Sequence, residues 1–192
     1  MMTTREVQQA LKRLGWPLKV DGAWGPQTYG AVRDFQRGFA FWGPLAVDGH
    51  AGAKTQEALR KSLEQDGGAS PHFAFREFAS NGNGWVKVSR TLVLALEDYR
   101  DSVGGPVAVV SGHRDPHYNA RIPGAARNSQ HLYGNACDIE AVKSVAQVRR
   151  LQRFSGIGYQ QSSGLVRHVD VRHVGPNPTG GSVREPATWP YG

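Results

Sequence analysis

The sequence predicts an α+β protein in two parts: a small all-α unit of three short helices, then an α+β domain built on a central antiparallel sheet. Three observations carry that expectation. An internal repeat confined to the first third of the chain marks a duplicated helical unit, and a Gly/Ser/Pro-rich stretch follows it. Beyond that stretch, helical and period-two segments mix without the regular βαβ rhythm of a parallel sheet. The 192 residues suffice for one ordinary domain and a small one.

In the first part, "VDGAWGPQTYGAV" (Val20 to Val32) and "VDGHAGAKTQEAL" (Val47 to Leu59) agree at V-D-G-x-x-G-x-x-T-x-x-A-[VL]. Each copy reads as a turn at Asp-Gly, a second glycine where the chain bends, and a helix whose Thr, Ala and Val/Leu share one face. Ahead of the first copy, Val7, Ala10, Leu11 and Leu14 recur at helical spacing until Gly15 and Pro17 stop the helix. Between the copies, Ala31, Val32, Phe35 and Phe39 supply the apolar face of the middle helix. "EQDGGASPHF" then has linker composition, which places a boundary there: residues 1–65, a linker at 66–72, and a second domain from 73 to 192.

In the second part, "SRTLVLALEDYRDSVGG" is a helix stopped by Gly104 and Gly105, and "PVAVVSG" is a buried strand by its β-branched content. "YGNACDIEA" is a strand, "SVAQVRRLQRF" a helix and "GIGYQ" a short strand. "LVRHVDVRH" is a further strand, whose period of two puts His168, Asp170 and Arg172 on one face. The Gly/Pro-rich tail with Trp189 and Tyr191 either packs over this domain or lines a cleft.

Composition excludes several classes. No apolar run approaches the ~18 residues of a membrane span, and the first residues read as a charged helix rather than a secretory signal. The expectation is synthesis in the cytoplasm without a signal peptide. One cysteine, Cys137, rules out an internal disulfide framework and reads as a small buried residue. A net charge of +7 is spread over both parts without a Lys/Arg block interleaved with aromatics, which favours an anionic surface over specific nucleic-acid recognition.

Chemistry concentrates in "SQHLYGNACDIE" and "RHVDVR". Seven histidines are available, and among them His131 ahead of one strand, with Asp138 inside it, and His168 on another strand could converge; mixed His/Asp sets are chemically suitable for a catalytic zinc ion with a position left for water. Fully extended, the seven residues from His131 to Asp138 would span ~23 Å, so the chain must fold back at "HLYG" for both to meet one ion. On the residues alone the alternative stands: a hydrogen-bonded histidine beside a strand, and an aspartate paired with an arginine.

Two longer resemblances bear on this. Residues 4–63, with their L-G, V-D-G-x-x-G-x-x-T and F-Q positions, resemble the three-helix peptidoglycan-binding domain of cell-wall hydrolases. Residues 70–173 resemble the M15 zinc peptidases in S-x-H-x-x-G-x-A-x-D (Ser129, His131, Gly134, Ala136, Asp138), and also in "HFAFREFAS", "SGHRDPHYN", G-I-G-Y and H-V-D. The resemblance implies one catalytic Zn2+ on His131, Asp138 and His168, with Arg114 and Ser129 as substrate-side groups. The segment before His168 lacks the acid that several M15 branches use as base. Asp170 is therefore the candidate for that role, or alternatively a carboxylate that orients a ligand.

His113 and His117 are expected to support the site or lie on the surface. The implied protein is a monomeric peptidoglycan peptidase acting at the bacterial wall, of the endolysin type and without membrane insertion. The alternatives are a D-Ala-D-Ala carboxypeptidase and a non-catalytic zinc-containing wall binder.

Overall fold

The computed structural model describes residues 1–140, 142–175 and 180–191. Its N-terminal unit holds α1 (Thr4–Leu14), α2 (Pro26–Gly38) and α3 (Ala53–Glu64). Helix α1 starts on a capping box, in which Thr3 accepts from the Glu6 amide and Glu6 accepts from the Thr3 amide at 2.6 Å. It stops at Gly15, whose φ of 119° lies in the left-handed region.

The repeat encodes a polar network as well as turns. The Gln8 amide nitrogen shares its protons among Asp21 Oδ1 (2.9 Å), the Ala23 carbonyl (2.9 Å) and Thr28 Oγ1 (3.0 Å), and Gln8 Oε1 accepts from the Gly22 amide. Gln36 does the same with Asp48 Oδ1 (2.8 Å), the His50 carbonyl (2.9 Å), Thr55 Oγ1 (3.1 Å) and the Gly49 amide. The Asp, Gly and Thr of each copy are thus partners of one buried glutamine on the preceding helix. Such a network is favourable because every polar group in it is satisfied.

The second part contributes α4 (Arg90–Val103), β1 (Val109–Ser111), α5 (Pro116–Ala120), β2 (Ala136–Ile139), α6 (Val145–Arg150), β3 (Gly156–Gln160), β4 (Val166–Asp170) and β5 (Ala187–Tyr191). The sheet order is β1-β2-β4-β3-β5. Two features differ from the sequence expectation. The sheet is mixed, because β5 from the tail runs parallel to β3 while the other pairs are antiparallel. Strand β1 is a three-residue edge strand with Val110 62% exposed, so its β-branched run reflects a pleated edge and not a buried centre. The tail both closes the sheet and borders the cleft described below; residues 176–179 of it lie outside the described residues.

Residues 66–72 also differ from expectation. A flexible spacer keeps its backbone in water, but here Ala69 and Ser70 are buried. The Ala69 carbonyl accepts from the Ala40 amide at 2.8 Å, and the Gly67 carbonyl accepts from the Phe75 amide at 2.9 Å. Gly68 sits where a Cβ would lie 2.6 Å from the Ser70 carbonyl oxygen. Phe75, just past this segment, stacks on Trp16 and Phe35 of the N-terminal unit, with centroids 5.1 and 5.2 Å apart, so one apolar core runs through both parts. Trp85 Nε1 adds a bond to Asp34 at 2.8 Å. Among the described residues no helix is long and apolar enough to cross a membrane.

Candidate metal centre

Strands β2 and β4 pair so that Asp138 lies directly opposite His168, which sets a carboxylate and an imidazole side by side on one face. His131 reaches them because the chain folds back where the spacing demands it. A 3-10 turn spans Gln130–Tyr133, and Gly134 follows with φ 67°. A side chain at Gly134 is excluded twice, by that φ and by the Lys87 carbonyl oxygen 2.7 Å from where a Cβ would stand. The result is a triangle: His131 Nε2 to His168 Nδ1 3.2 Å, His168 Nδ1 to Asp138 Oδ1 3.0 Å, and His131 Nε2 to Asp138 Oδ1 3.4 Å.

The surroundings assign the tautomers. His131 Nδ1 lies 2.6 Å from the Gly112 carbonyl oxygen, which only accepts, so the proton sits on Nδ1 and Nε2 turns a lone pair to the cluster. His168 has Nε2 3.3 Å from Asp170 Oδ2 and Nδ1 3.0 Å from Asp138 Oδ1; burial opposes its charged form, yet the two carboxylates raise it above the usual histidine range. With a metal ion at the cluster, Asp170 would keep the proton on Nε2 and leave the Nδ1 lone pair for the ion. Burial pushes His131 below the usual histidine range and so favours its neutral form. Burial opposes ionisation of Asp138 and Asp170, yet His131 and His168 hold Asp138 well below the usual carboxylate range, and His168 and Arg172 do the same for Asp170. His113 donates from Nδ1 to the His131 carbonyl at 3.0 Å and is driven by burial down to about 4, so it supports the turn as a neutral group. His117 is exposed on α5.

The G-I-G of β3 makes room for this cluster. Gly156 pairs with Asp170, and a Cβ on it would lie 2.2 Å from Asp170 Oδ2. Gly158 lies between His168 on β4 and Trp189 on β5, and the bare backbone lets the indole approach His168 to a centroid distance of 5.3 Å. Trp189 also carries the Arg172 guanidinium, 4.9 Å above its ring.

A cleft of about 740 Å³ opens over the triangle. Arg114, the 122–126 loop, Ser129, Arg172 and Trp189 are among the residues that line it. Ser129 caps the 3-10 turn by accepting from the His131 amide at 3.4 Å. Arg114 is buried and binds Asp138 Oδ2 through Nη2, while its Nε donates to Ser111 Oγ at 3.3 Å. The neighbouring Asp115 instead caps α5 and accepts from Ser80.

Asp170, expected as a base or as a carboxylate that orients a ligand, is among the residues bordering the cleft, and its contacts suit the second role. It is wholly buried, with Oδ2 against His168 and both oxygens against the Arg172 guanidinium. A base needs an oxygen turned toward the water it deprotonates; this carboxylate is turned to the back of His168. Sequence reasoning missed Arg172 as its partner, although the shared strand face was the signal. Cys137 is buried with its thiol pushed up by burial, as a bystander should be.

The triangle fits zinc on its own geometry. Tetrahedral coordination at ~2.0–2.1 Å separates ligand atoms by about 3.3 Å, and the three distances among two imidazole nitrogens and one carboxylate oxygen fall at 3.0–3.4 Å. Fold and site therefore define a modular protein with a catalytic-type zinc centre. Comparison with known proteins gives the family. Residues 53–173 match the peptidase M15 family, and residues 3–59 match a putative peptidoglycan binding domain. The chain belongs to the peptidase M15 family.

Among its relatives, the zinc D-Ala-D-Ala carboxypeptidase of Streptomyces albus G is 31% identical over 175 residues, which is 83% of this chain. The chain spans 65% of that relative's length. A spore cortex-lytic enzyme of Bacillus cereus is 47% identical over 62 residues, 32% of this chain and 22% of the relative.

Proposed function

We propose that the protein is a zinc-dependent peptidase that hydrolyses an amide bond in the stem or cross-link peptides of bacterial peptidoglycan, working as a monomer delivered to the wall by residues 1–65. The catalytic unit is residues 73–192. The observation that carries this reading is the His131/Asp138/His168 triangle at the floor of a cleft bordered by Arg114 and Ser129. His131, Asp138 and His168 would hold the ion. Zinc supplies an acidified water and a polarised carbonyl at such a site.

The chain's own groups do the rest. Gly112 and Asp170 hold the two imidazoles by the ring nitrogens turned away from the ion, and His113 supports the turn that carries His131 through its backbone carbonyl. Arg114 and Ser129 face the substrate, Arg114 as a donor to a peptide carboxylate or a developing oxyanion. Trp189 walls the cleft with an apolar surface suited to a small alanyl side chain. Asp170 acts as a positioning residue through His168. The positive net charge assists adsorption to anionic wall polymers.

Within this reading we assign the protein to the lytic, endolysin type. The likeness to a D-Ala-D-Ala carboxypeptidase supports a second reading, in which stems are trimmed without lysis. One experiment separates them: purified wall is digested with and without a chelator, and the new termini are identified by mass spectrometry. Internal amino and carboxyl ends support the endopeptidase, and free D-alanine alone supports the carboxypeptidase. Wall that is bound but left uncut under both conditions overturns the enzyme in favour of a zinc-containing binder.

A further inference from the structure

The turn that brings His131 back to Asp138 is held from outside its own domain. Arg37 lies on α2, within the unit that matches the peptidoglycan binding domain. Its Nη1 donates to the Tyr133 carbonyl at 2.5 Å and its Nη2 to Asn135 Oδ1 at 2.8 Å, across 96 and 98 residues of sequence. The two acceptors flank Gly134, so one planar guanidinium spans the residue at which the chain reverses. The opposite side of the same turn is held by the Ser89 amide, which donates to the Gly134 carbonyl at 2.8 Å. Asn135 in turn ties the turn to the strand that carries His168, since its carbonyl accepts from the Val171 amide at 2.9 Å.

We infer that Arg37 is a positioning residue of the metal centre, so that the wall-binding unit forms part of the scaffold of the catalytic site and is not only a tether. The inference rests on the reading of His131, Asp138 and His168 as zinc ligands. The physical case is one of pre-organisation. Left to itself, the short segment from Gln130 to Asn135 must hold a left-handed residue and an imidazole aimed at one point, and every conformer that relaxes either one lowers zinc affinity. A charged donor pair shared between the two ends of the turn removes those conformers. A merely structural role would place Arg37 among the contacts that join the two parts, such as Trp85 Nε1 to Asp34, which does not touch the metal loop.

The test compares these two kinds of contact in the full-length protein. Zinc affinity is measured by competition with a chromophoric chelator, at a temperature where near-UV circular dichroism shows the native signal. The parent should bind one Zn2+ and His131→Ala none; a parent that binds no zinc overturns the ligand reading itself, not the Arg37 inference alone. Arg37→Gln is expected to lose zinc affinity by about tenfold or more, while Trp85→Phe stays within about twofold of the parent despite losing a bond between the two parts. Should Arg37→Gln not fold, Arg37→Lys reads the same contrast with a smaller loss, because an ammonium reaches one acceptor and not both. Parent-like zinc affinity in the folded Arg37 variant overturns the inference, and so does an equal loss in Trp85→Phe.

Discussion

The two halves of the chain build their polar centres in opposite ways. In the N-terminal unit each buried glutamine gathers its partners from the next 20 residues, twice over, from a motif that recurs in the sequence. In the C-terminal domain the zinc triangle draws His168 from 30 residues beyond Asp138, and the turn beneath His131 leans on Arg37 96 residues away. A local network survives as long as its helix and turn survive. A centre made by strand register and a distant clamp depends on the whole sheet and on the partner unit. The lesson is that stability and function are separable on the first side and entangled on the second.

The largest effect should come from the triangle itself. His131→Ala, or stripping the parent with a chelator, is expected to lower wall-peptide hydrolysis by roughly 10³-fold or more, measured by release of new amino ends. Comparable cleavage by His131→Ala would remove His131 from the site.

Next comes the local side of the contrast. Gln8→Leu and Gln36→Leu each strand a buried threonine hydroxyl and remove the bonds to an exposed aspartate and a glycine amide, and should each cost about 1–2 kcal/mol of unfolding free energy in urea titrations. Gln8→Leu should do so at unchanged zinc affinity. A drop in zinc binding there would break the separation between the halves.

Asp170→Asn sharpens the distant side. As a positioning group it should weaken zinc binding by about 10- to 100-fold, with turnover per bound zinc largely retained. Parent-like zinc affinity with turnover down by about 10²-fold or more would restore Asp170 as the base. Trp189→Ala is the mildest change. It should raise KM by roughly three- to tenfold with little change in kcat, as expected for uniform binding to a platform; an unchanged KM would remove the indole from the substrate's path.

Much of this was legible beforehand, and for identifiable reasons. Gly15, Gly104 and the Asp-Gly turns announced helix ends because backbone conformations of that kind need those residues. The S-x-H-x-x-G-x-A-x-D string carried its own fold-back, since Gly134 is where a left-handed residue had to stand. Less was legible where an outcome depended on neighbours. The linker composition of residues 66–72 did not reveal that Ala69 and Ser70 would be buried between two units. The β-branched run at β1 did not show that the strand would lie at the edge, and the tail's glycines and prolines hid a strand that pairs in parallel with β3.

By itself the sequence determined the helices, the duplicated turns and the α+β class, because these follow from local backbone preference and periodicity; the candidate ligands were named by the resemblance of its motifs to the M15 peptidases. Only the tertiary structure decided that Asp170 stands behind His168, that the G-I-G glycines clear space for Asp170 and Trp189, and that Arg37 closes over the metal loop. Those outcomes follow from which strands become neighbours and how two units pack. They are set by the free energy of the whole assembled core, and no single segment carries them.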